Sequence, residues 1–289
     1  MPTPPSRPPA APPVRRLTPG DLIACADLCE DRGWPRDEHR WGLLLAAGTG
    51  YGIDDPDGGG LIATCVVTSY GPRLAAVGML LVAGRHARQG LGRYLMRQVI
   101  DGLGRTPLSL YATPAGRPLY EQLGFEAVGH TERLAGLFRP TGDEGCTADI
   151  RPATAEDLRA LVRLDADVFG CDRTHVLARL PAYADHLRVA EADGRIVGYA
   201  AAWPSDGAQA IGPLIAPDSR TAGALVASLA KATELPLRAD IDARHTELLA
   251  RLRKCGLRTV SGTTVMAYGV SELPGDWTRR YAPLTVAMG

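Results

Sequence analysis

The segment Leu74 to Gly104, LAAVGMLLVAGRHARQGLGRYLMRQVIDGLG, decides the fold. Its first ten residues, 74–83, are almost wholly apolar and too short to span a membrane, which predicts a strand buried on both faces. From Leu91 to Leu103 the apolar residues recur every three to four positions, and Gly104 follows, which predicts an amphipathic helix ending there. The connecting loop holds three glycines together with Arg85, His86 and Arg88.

Such a loop suits an anion. Glycines let the backbone approach a ligand closely, and the first helical turn offers free N–H groups and the positive end of the helix dipole. A P-loop is excluded because no Lys-Ser/Thr pair follows Gly92, and a dinucleotide fingerprint would need glycine at Leu95. The sequence therefore predicts a phosphate-bearing ligand, with a tight strand-to-helix turn without a ligand as the alternative.

A second signature, Tyr120-Glu121-Gln122-Leu123-Gly124-Phe125, follows the first in the chain. With the apolar strand ending at Val82 and the run Gly90-Leu91-Gly92, it resembles the GNAT superfamily of acyl-CoA N-acyltransferases. The resemblance implies an acetyl-CoA site and no metal. It implies the cofactor-binding residues Leu80, Leu81, Val82, Ala87, Arg88, Gln89, Gly90, Leu91, Gly92, Arg93 and Thr113. The family usually has Arg or Gln at the place of Ala87; because recognition there is mostly by main chain, we expect lower affinity rather than lost function.

Tyr120 is the candidate catalytic residue. In several GNAT enzymes a tyrosine at this place protonates the leaving thiolate. Attack of an amine on a thioester expels such a thiolate, which benefits from a positioned acid. The alternative is a packing residue whose hydroxyl reaches solvent.

The resemblance also makes Trp34, Asp37, Glu38 and Trp41 candidate contacts for the acceptor, because the first two helices cover that side of the cleft in the GNAT fold. The alternative is that the two tryptophans only pack these helices together.

Composition limits the class of protein. The 289 residues are enough for two domains, and 32 basic side chains balance 32 acidic ones, which argues against a nucleic-acid partner. The six cysteines form no Cys-x-x-Cys pair, as expected of reduced thiols in a cytoplasmic protein. Residues 1–13 are proline-rich with no signal-peptide core and are expected to be a disordered tail. We expect no membrane partner, and a monomer or homodimer.

The second half of the chain repeats the first. Asp149 to Leu158 resembles Val14 to Leu22 in its order of strand, threonine, acid and leucine. In this alignment Gly256 matches Gly124, Leu252 matches Tyr120, and Ala222 and Ala224 stand where the first unit has Gly90 and Gly92. We expect the second unit to have lost the pyrophosphate site.

We therefore expect an α/β (α+β) protein with two tandem GNAT-like units, residues 14–140 and 148–289, each a mixed, mostly antiparallel sheet flanked by helices. The second unit would shape the acceptor site through Asp240, Asp242 or His245, and a strand within Trp277 to Met288 would add to it. The expected activity is direct acetyl transfer to a primary amine of a small molecule. The alternatives are a CoA-binding sensor or scaffold, and a tandem GNAT that transfers amino acids from aminoacyl-tRNA.

Overall fold

The computed structural model describes residues 12–141 and 146–289, so most of the proline-rich tail and the linker around 142–145 lie outside the described residues. The strands of the first unit are β1 Arg15–Arg16, β2 Thr49–Asp54, β3 Leu61–Ser69, β4 Ala75–Val82, β5 Leu108–Ala112 and β6 Glu126–Gly136. Its helices are α1 Leu22–Asp31, α2 Glu38–Ala47, α3 Leu91–Leu103 and α4 Arg117–Gln122. The predicted strand and helix of the segment 74–104 are confirmed, with Gly104 at the end of α3.

The second unit repeats this order. Its strands are β7 Asp149–Pro152, β8 His186–Ala192, β9 Arg195–Ser205, β10 Ala208–Ile215, β11 Leu237–Asp242, β12 Arg258–Tyr268 and β13 Arg280–Ala282. Its helices are α5 Leu158–Phe169, α6 Thr174–Leu177, α7 Leu180–Tyr183, α8 Ser219–Ala230 and α9 Thr246–Lys254. No helix of the described residues is both long and apolar enough to cross a membrane.

The two units share details of local structure. In each, a threonine opens the first helix, and its backbone N–H donates to an aspartate three residues later, Thr18 to Asp21 and Thr154 to Asp157, both at 2.7 Å. Later in each unit, a helix is followed by a left-handed glycine, Gly124 after α4 and Gly256 after α9. The N–H of the next residue donates to a carbonyl in the helix, from Phe125 to Tyr120 and from Leu257 to Leu252. These matched bonds support the alignment of Tyr120 with Leu252.

The units do not form two separate sheets. One sheet runs through the order β1-β2-β3-β4-β5-β12-β6-β11-β10-β9-β8-β7, so each unit places its sixth strand between the fifth and sixth strands of the other. Strands β1–β6 of the first unit correspond to β7–β12 of the second. When corresponding strands are exchanged, the strand order is the same read from either edge of the sheet, which indicates a pseudo-two-fold axis between β6 and β12. There Thr131 pairs with Thr263, and their hydroxyls hydrogen-bond at 2.7 Å. The two units are thus joined by strand exchange within one sheet.

The β4–β5 and β10–β11 pairs run parallel, and the other described pairs run antiparallel. The fold is therefore the predicted mixed, mostly antiparallel sheet with flanking helices.

The C-terminal segment links the two units. After β13 it passes Gly212 on β10, where an added Cβ would lie 2.2 Å from the carbonyl oxygen of Pro283. It then reaches Gly78 on β4, where an added Cβ would lie 2.6 Å from Cα of Ala287. Both sites therefore require glycine for this close approach. The buried Arg173 holds the last residue through a 3.0 Å bond to the carbonyl of Gly289.

Candidate active site

A cleft opens between β4 and β5. Their parallel pairing covers Ala75–Val77 and Leu108–Leu110, but β4 continues to Val82. Among the described residues, its edge facing β5 therefore has no strand partner beyond Val77. Unpaired backbone N–H and C=O groups on a strand edge can pair with an extended ligand. This edge contains the predicted contacts Leu80, Leu81 and Val82; Leu80 and Val82 are half-buried, and Leu81 is buried.

A β-bulge marks the point where the cleft begins. Met79 has a left-handed φ of 52°, and the register with β3 shifts between Thr64 and Val66. The Thr64 hydroxyl donates to the Met79 carbonyl at 3.0 Å and holds it in place. Our sequence analysis missed this bulge, although Gly78 inside an apolar strand is the kind of signal that indicates one.

The loop between β4 and α3 presents backbone donors to this cleft. Gly90 is the N-cap of α3 with a φ of 85°, and Arg88 is also left-handed at 62°. Within the described residues, the N–H groups of residues 88–93 have no hydrogen-bond acceptor, while Tyr94 N–H begins the helical ladder by donating to Gly90. Free N–H groups at the positive end of a helix, here one of 13 residues, favour negatively charged ligands.

The space in front of these donors is open. Apart from the neighbouring residues of the loop and the backbone of α3, no atom of the described residues lies within 4 Å of a Cβ built on Gly90. A Cβ built on Gly92 meets side-chain carbons of Leu119 and Val82, each at 3.5 Å. The Arg88 side chain is exposed, whereas Arg85 turns away to bind Asp55 at 2.7 Å. Residues 87–93, predicted to hold the pyrophosphate, thus surround the start of α3, where there is open space in front of Gly90.

Tyr120 lies on α4 with a half-buried side chain whose ring packs edge-on against Phe125, with 5.8 Å between centroids. Burial raises the pKa of the Tyr120 phenol above its usual range, so the hydroxyl is protonated at neutral pH. A neutral phenol can donate a proton. Thr113 accepts from the N–H of Gly116 through both its carbonyl, at 3.0 Å, and its hydroxyl, at 3.2 Å, and so shapes the turn that begins α4.

The four candidate acceptor contacts are not brought together. Trp41 is fully buried, and its indole N–H donates to the Cys29 sulfur at 3.2 Å, so it packs α2 against α1. Trp34 is 38% exposed, and Glu38 pairs with Arg36 at the surface. Asp37 is buried: it caps α2 and accepts a 2.9 Å bond from Ser205 of the second unit.

The three polar residues of the second unit also differ in setting. Asp240 makes a two-bond ion pair with Arg133, at 2.8 and 3.2 Å. Asp242 accepts the Arg244 N–H at 3.0 Å, as expected of a residue that shapes the turn after its strand. His245 is buried, stacks on Tyr281 and lies 2.9 Å from the Arg280 carbonyl; burial lowers the pKa of its imidazole.

The corresponding cleft of the second unit is filled. The β10–β11 pairing ends at Ile211, and β13 then pairs with β10 at Leu214 and Ile215. In the second unit β13 thus occupies the position beside β10 that corresponds to the open position beside β4 in the first unit.

The second β–α loop has also changed. Only residues 216–218 separate β10 from α8, and the Asp218 carboxylate caps the helix by accepting the Thr221 N–H at 2.8 Å. Ala222 and Ala224 lie inside α8, rather than at its start as the sequence alignment suggested. The site is thus altered by a shortened loop and an acidic cap as well as by lost glycines.

Comparison with known proteins identifies the class. Residues 63–138 and 161–282 each match a family model of the acetyltransferase (GNAT) domain, and together these matches cover more than half of the chain. The chain therefore belongs to the GNAT acetyltransferases, and it is of the tandem type.

Relatives resemble the chain over nearly its whole length. An uncharacterized N-acetyltransferase of Bacillus subtilis (strain 168), YitH, is 29% identical over 91% of this chain and 93% of its own. A candidate acetyltransferase of Pyrococcus horikoshii has a similar structure, with a TM-score of 0.80 at 19% identity, covering 96% of this chain and 95% of the other. A tandem GNAT protein from the clavulanic acid biosynthesis pathway gives a TM-score of 0.64 at 14% identity, covering 91% and 100%. The two structural likenesses show the fold.

Proposed function

We propose that the first unit transfers an acetyl group from acetyl-CoA directly to a primary amine of a small molecule. The observation that carries this proposal is the contrast between the two units. The first combines an unpaired β4 edge with a loop of free N–H donors, and in the second β13 and Asp218 take up both places.

The residues of the first unit have separate roles in this proposal. The N–H groups of residues 88–93 hold the diphosphate, with Arg88 supplying a positive charge. The β4 edge beyond the Met79 bulge pairs with the pantetheine arm and orients the thioester, which is the acyl donor that acetyl-CoA supplies. Tyr120 holds the proton that the departing thiolate needs, and its raised pKa keeps that proton in place until transfer.

The acceptor would approach from the side formed by both units. Three contacts bring the second unit there: the Asp37–Ser205 bond, the packing of Ala287 on Gly78, and the bond from the Tyr70 hydroxyl to the carbonyl of Met288. We therefore propose that the second unit forms part of the acceptor pocket. All three of its candidate residues already have partners: Asp240 pairs with Arg133, Asp242 accepts the Arg244 N–H, and His245 lies against the Arg280 carbonyl.

A thiol-release assay with acetyl-CoA and a panel of amines tests the activity. We expect release that depends on the amine and falls strongly in the variant Tyr120→Phe. Tight CoA binding without release for any amine would overturn the transfer reaction and favour a CoA-binding sensor.

A further inference from the structure

A recess lies where α2 of the first unit meets β9, β10 and β11 of the second. It opens to solvent at its mouth, and the space enclosed behind the mouth is about 10 Å³, room for about one water molecule or one oxygen atom of a larger ligand. Its polar walls are the side chains of Arg40, Arg133, Trp203, Arg238 and Asp240, and residues 283–286 of the C-terminal segment close one side. We call it the interunit recess.

Positive charge is in excess in the interunit recess. Three arginines face one carboxylate in its walls, and that carboxylate, Asp240, is already paired with Arg133. Arg40 has its nearest carboxylate in Asp37, at 3.6 Å between Nε and Oδ2. Among the described residues no carboxylate lies within 4.0 Å of the half-buried Arg238 guanidinium, whose hydrogen-bond partner is the neutral Ser205 hydroxyl at 2.9 Å.

Donors in the interunit recess also lack acceptors. Within the described part of the chain, the Nε–H groups of Arg40 and Arg238 and the indole N–H of Trp203 are buried without a hydrogen-bond partner. Trp203 is 3% exposed, so bulk water does not readily reach its N–H. Buried donors in native proteins are nearly always satisfied, which means that three such groups in one place indicate a missing acceptor.

We propose that the interunit recess binds the oxyanion of a small molecule, a carboxylate or phosphate, through Arg238, Arg40 and the Trp203 N–H. An oxyanion has several lone pairs and a negative charge, so it satisfies the donors and the unpaired guanidinium together. The site is distinct from the β4–α3 loop. Two sources share this chemistry: an acidic group on the acceptor itself, and a separate acidic effector.

The position of the interunit recess connects it to the cleft. Residues 283–286 form its wall, and the next residue, Ala287, packs on Gly78, immediately before the Met79 bulge. A ligand in the recess would therefore contact the segment that packs beside the β4 edge, whether that ligand is the acceptor or a separate effector.

Calorimetry with inorganic phosphate and with acetate tests the site. The measurement uses the background Gly90→Asp with Gly92→Asp, whose added carboxylates keep phosphate away from the β4–α3 loop. We expect saturable binding of at least one anion, weakened about tenfold or more by Arg238→Met and less by Arg238→Lys, which keeps the charge. The matched control is Arg195→Met, which removes an exposed arginine outside the recess and should leave anion binding unchanged.

Two results would contradict anion binding in the interunit recess. Absence of saturable binding, or equal binding by Arg238→Met and its parent with both folded, would overturn the proposal and indicate that a buried water satisfies these donors. In the otherwise native chain, a KM that rises about tenfold in Arg238→Met for acidic amines, but not for neutral ones, supports the acceptor as the source. Anion binding that Arg238→Met abolishes without such a change in KM supports an effector.

Discussion

One molecule of acetyl-CoA should bind per chain, and the variant Gly90→Asp with Gly92→Asp should abolish that binding. Both residues stand at the start of α3, where the N–H groups of residues 88–93 have no acceptor within the described chain. A carboxylate about 5 Å from a phosphate charge costs about 3 kcal/mol at an effective dielectric constant of about 20. Since about 1.4 kcal/mol corresponds to a tenfold change in Kd, one such pair weakens binding more than a hundredfold and two weaken it further.

The double variant should remain folded. A side chain at Gly90, whose φ is 85°, adds about 1–2 kcal/mol of backbone strain. A side chain at Gly92 begins at ordinary contact distance, 3.5 Å, from Val82 and Leu119. These costs are small beside the roughly 5–15 kcal/mol that stabilise a typical domain.

Titration calorimetry with acetyl-CoA measures both the stoichiometry and the affinity, and circular dichroism checks the fold. The matched control is Arg220→Asp, which puts a carboxylate at the exposed first turn of α8 in the second unit and should change neither quantity. A stoichiometry near two, or a Kd for the double variant within tenfold of the parent, would refute the contrast between the units on which the proposed function rests.

Three further predictions concern single side chains. Tyr120→Phe should lower kcat about a hundredfold, with the Kd for acetyl-CoA unchanged, since its hydroxyl acts only as the thiolate leaves; an unchanged kcat would make it a packing residue. Trp41→Ala should lower the free energy of unfolding in urea by about 3–5 kcal/mol, because that side chain is fully buried, whereas the exposed Trp34→Ala should change it by about 0.5 kcal/mol or less. The Arg15 guanidinium lowers the pKa of Asp21 from 3.8 to about 2, so the stability from this pair is complete above pH 4 and is lost as pH falls from 4 to 2. Asp21→Asn should flatten that part of a melting-temperature curve against pH, and an unchanged slope would contradict the assignment.

Local elements could be predicted from the sequence because their signals lie within a few residues. The apolar run that became β4, the helical period of α3 and the glycine that ends it are all contained in residues 74–104. The phosphate-binding character of the loop follows from the same segment, since backbone N–H groups and glycines are readable without knowing the rest of the fold.

The long-range features could not be predicted in this way. Alternation along a strand specifies which face is buried but not which strand lies alongside, so the exchange of β6 and β12 left no local signal. The same limit applies to the interunit recess. Its arginines, Arg40, Arg133 and Arg238, are about a hundred residues apart in sequence. They come together only because the exchanged sheet pairs β6 with β11 and α2 packs against the second unit.

The strand exchange also gives the second unit, whose cleft is filled by β13, a structural role. β5 pairs with β12 along Leu108–Ala112, and β6 lies between β12 and β11, so the first unit alone would leave the edges of β5 and β6 unpaired. Unpaired strand edges promote association with other chains. The second unit is therefore needed to complete the sheet, whatever its chemistry. The pairing of β6 with β11 also fixes β11 beside the first unit, and the bond from the Tyr70 hydroxyl to the Met288 carbonyl holds the C-terminal segment there, so both sides of the interunit recess are fixed in position.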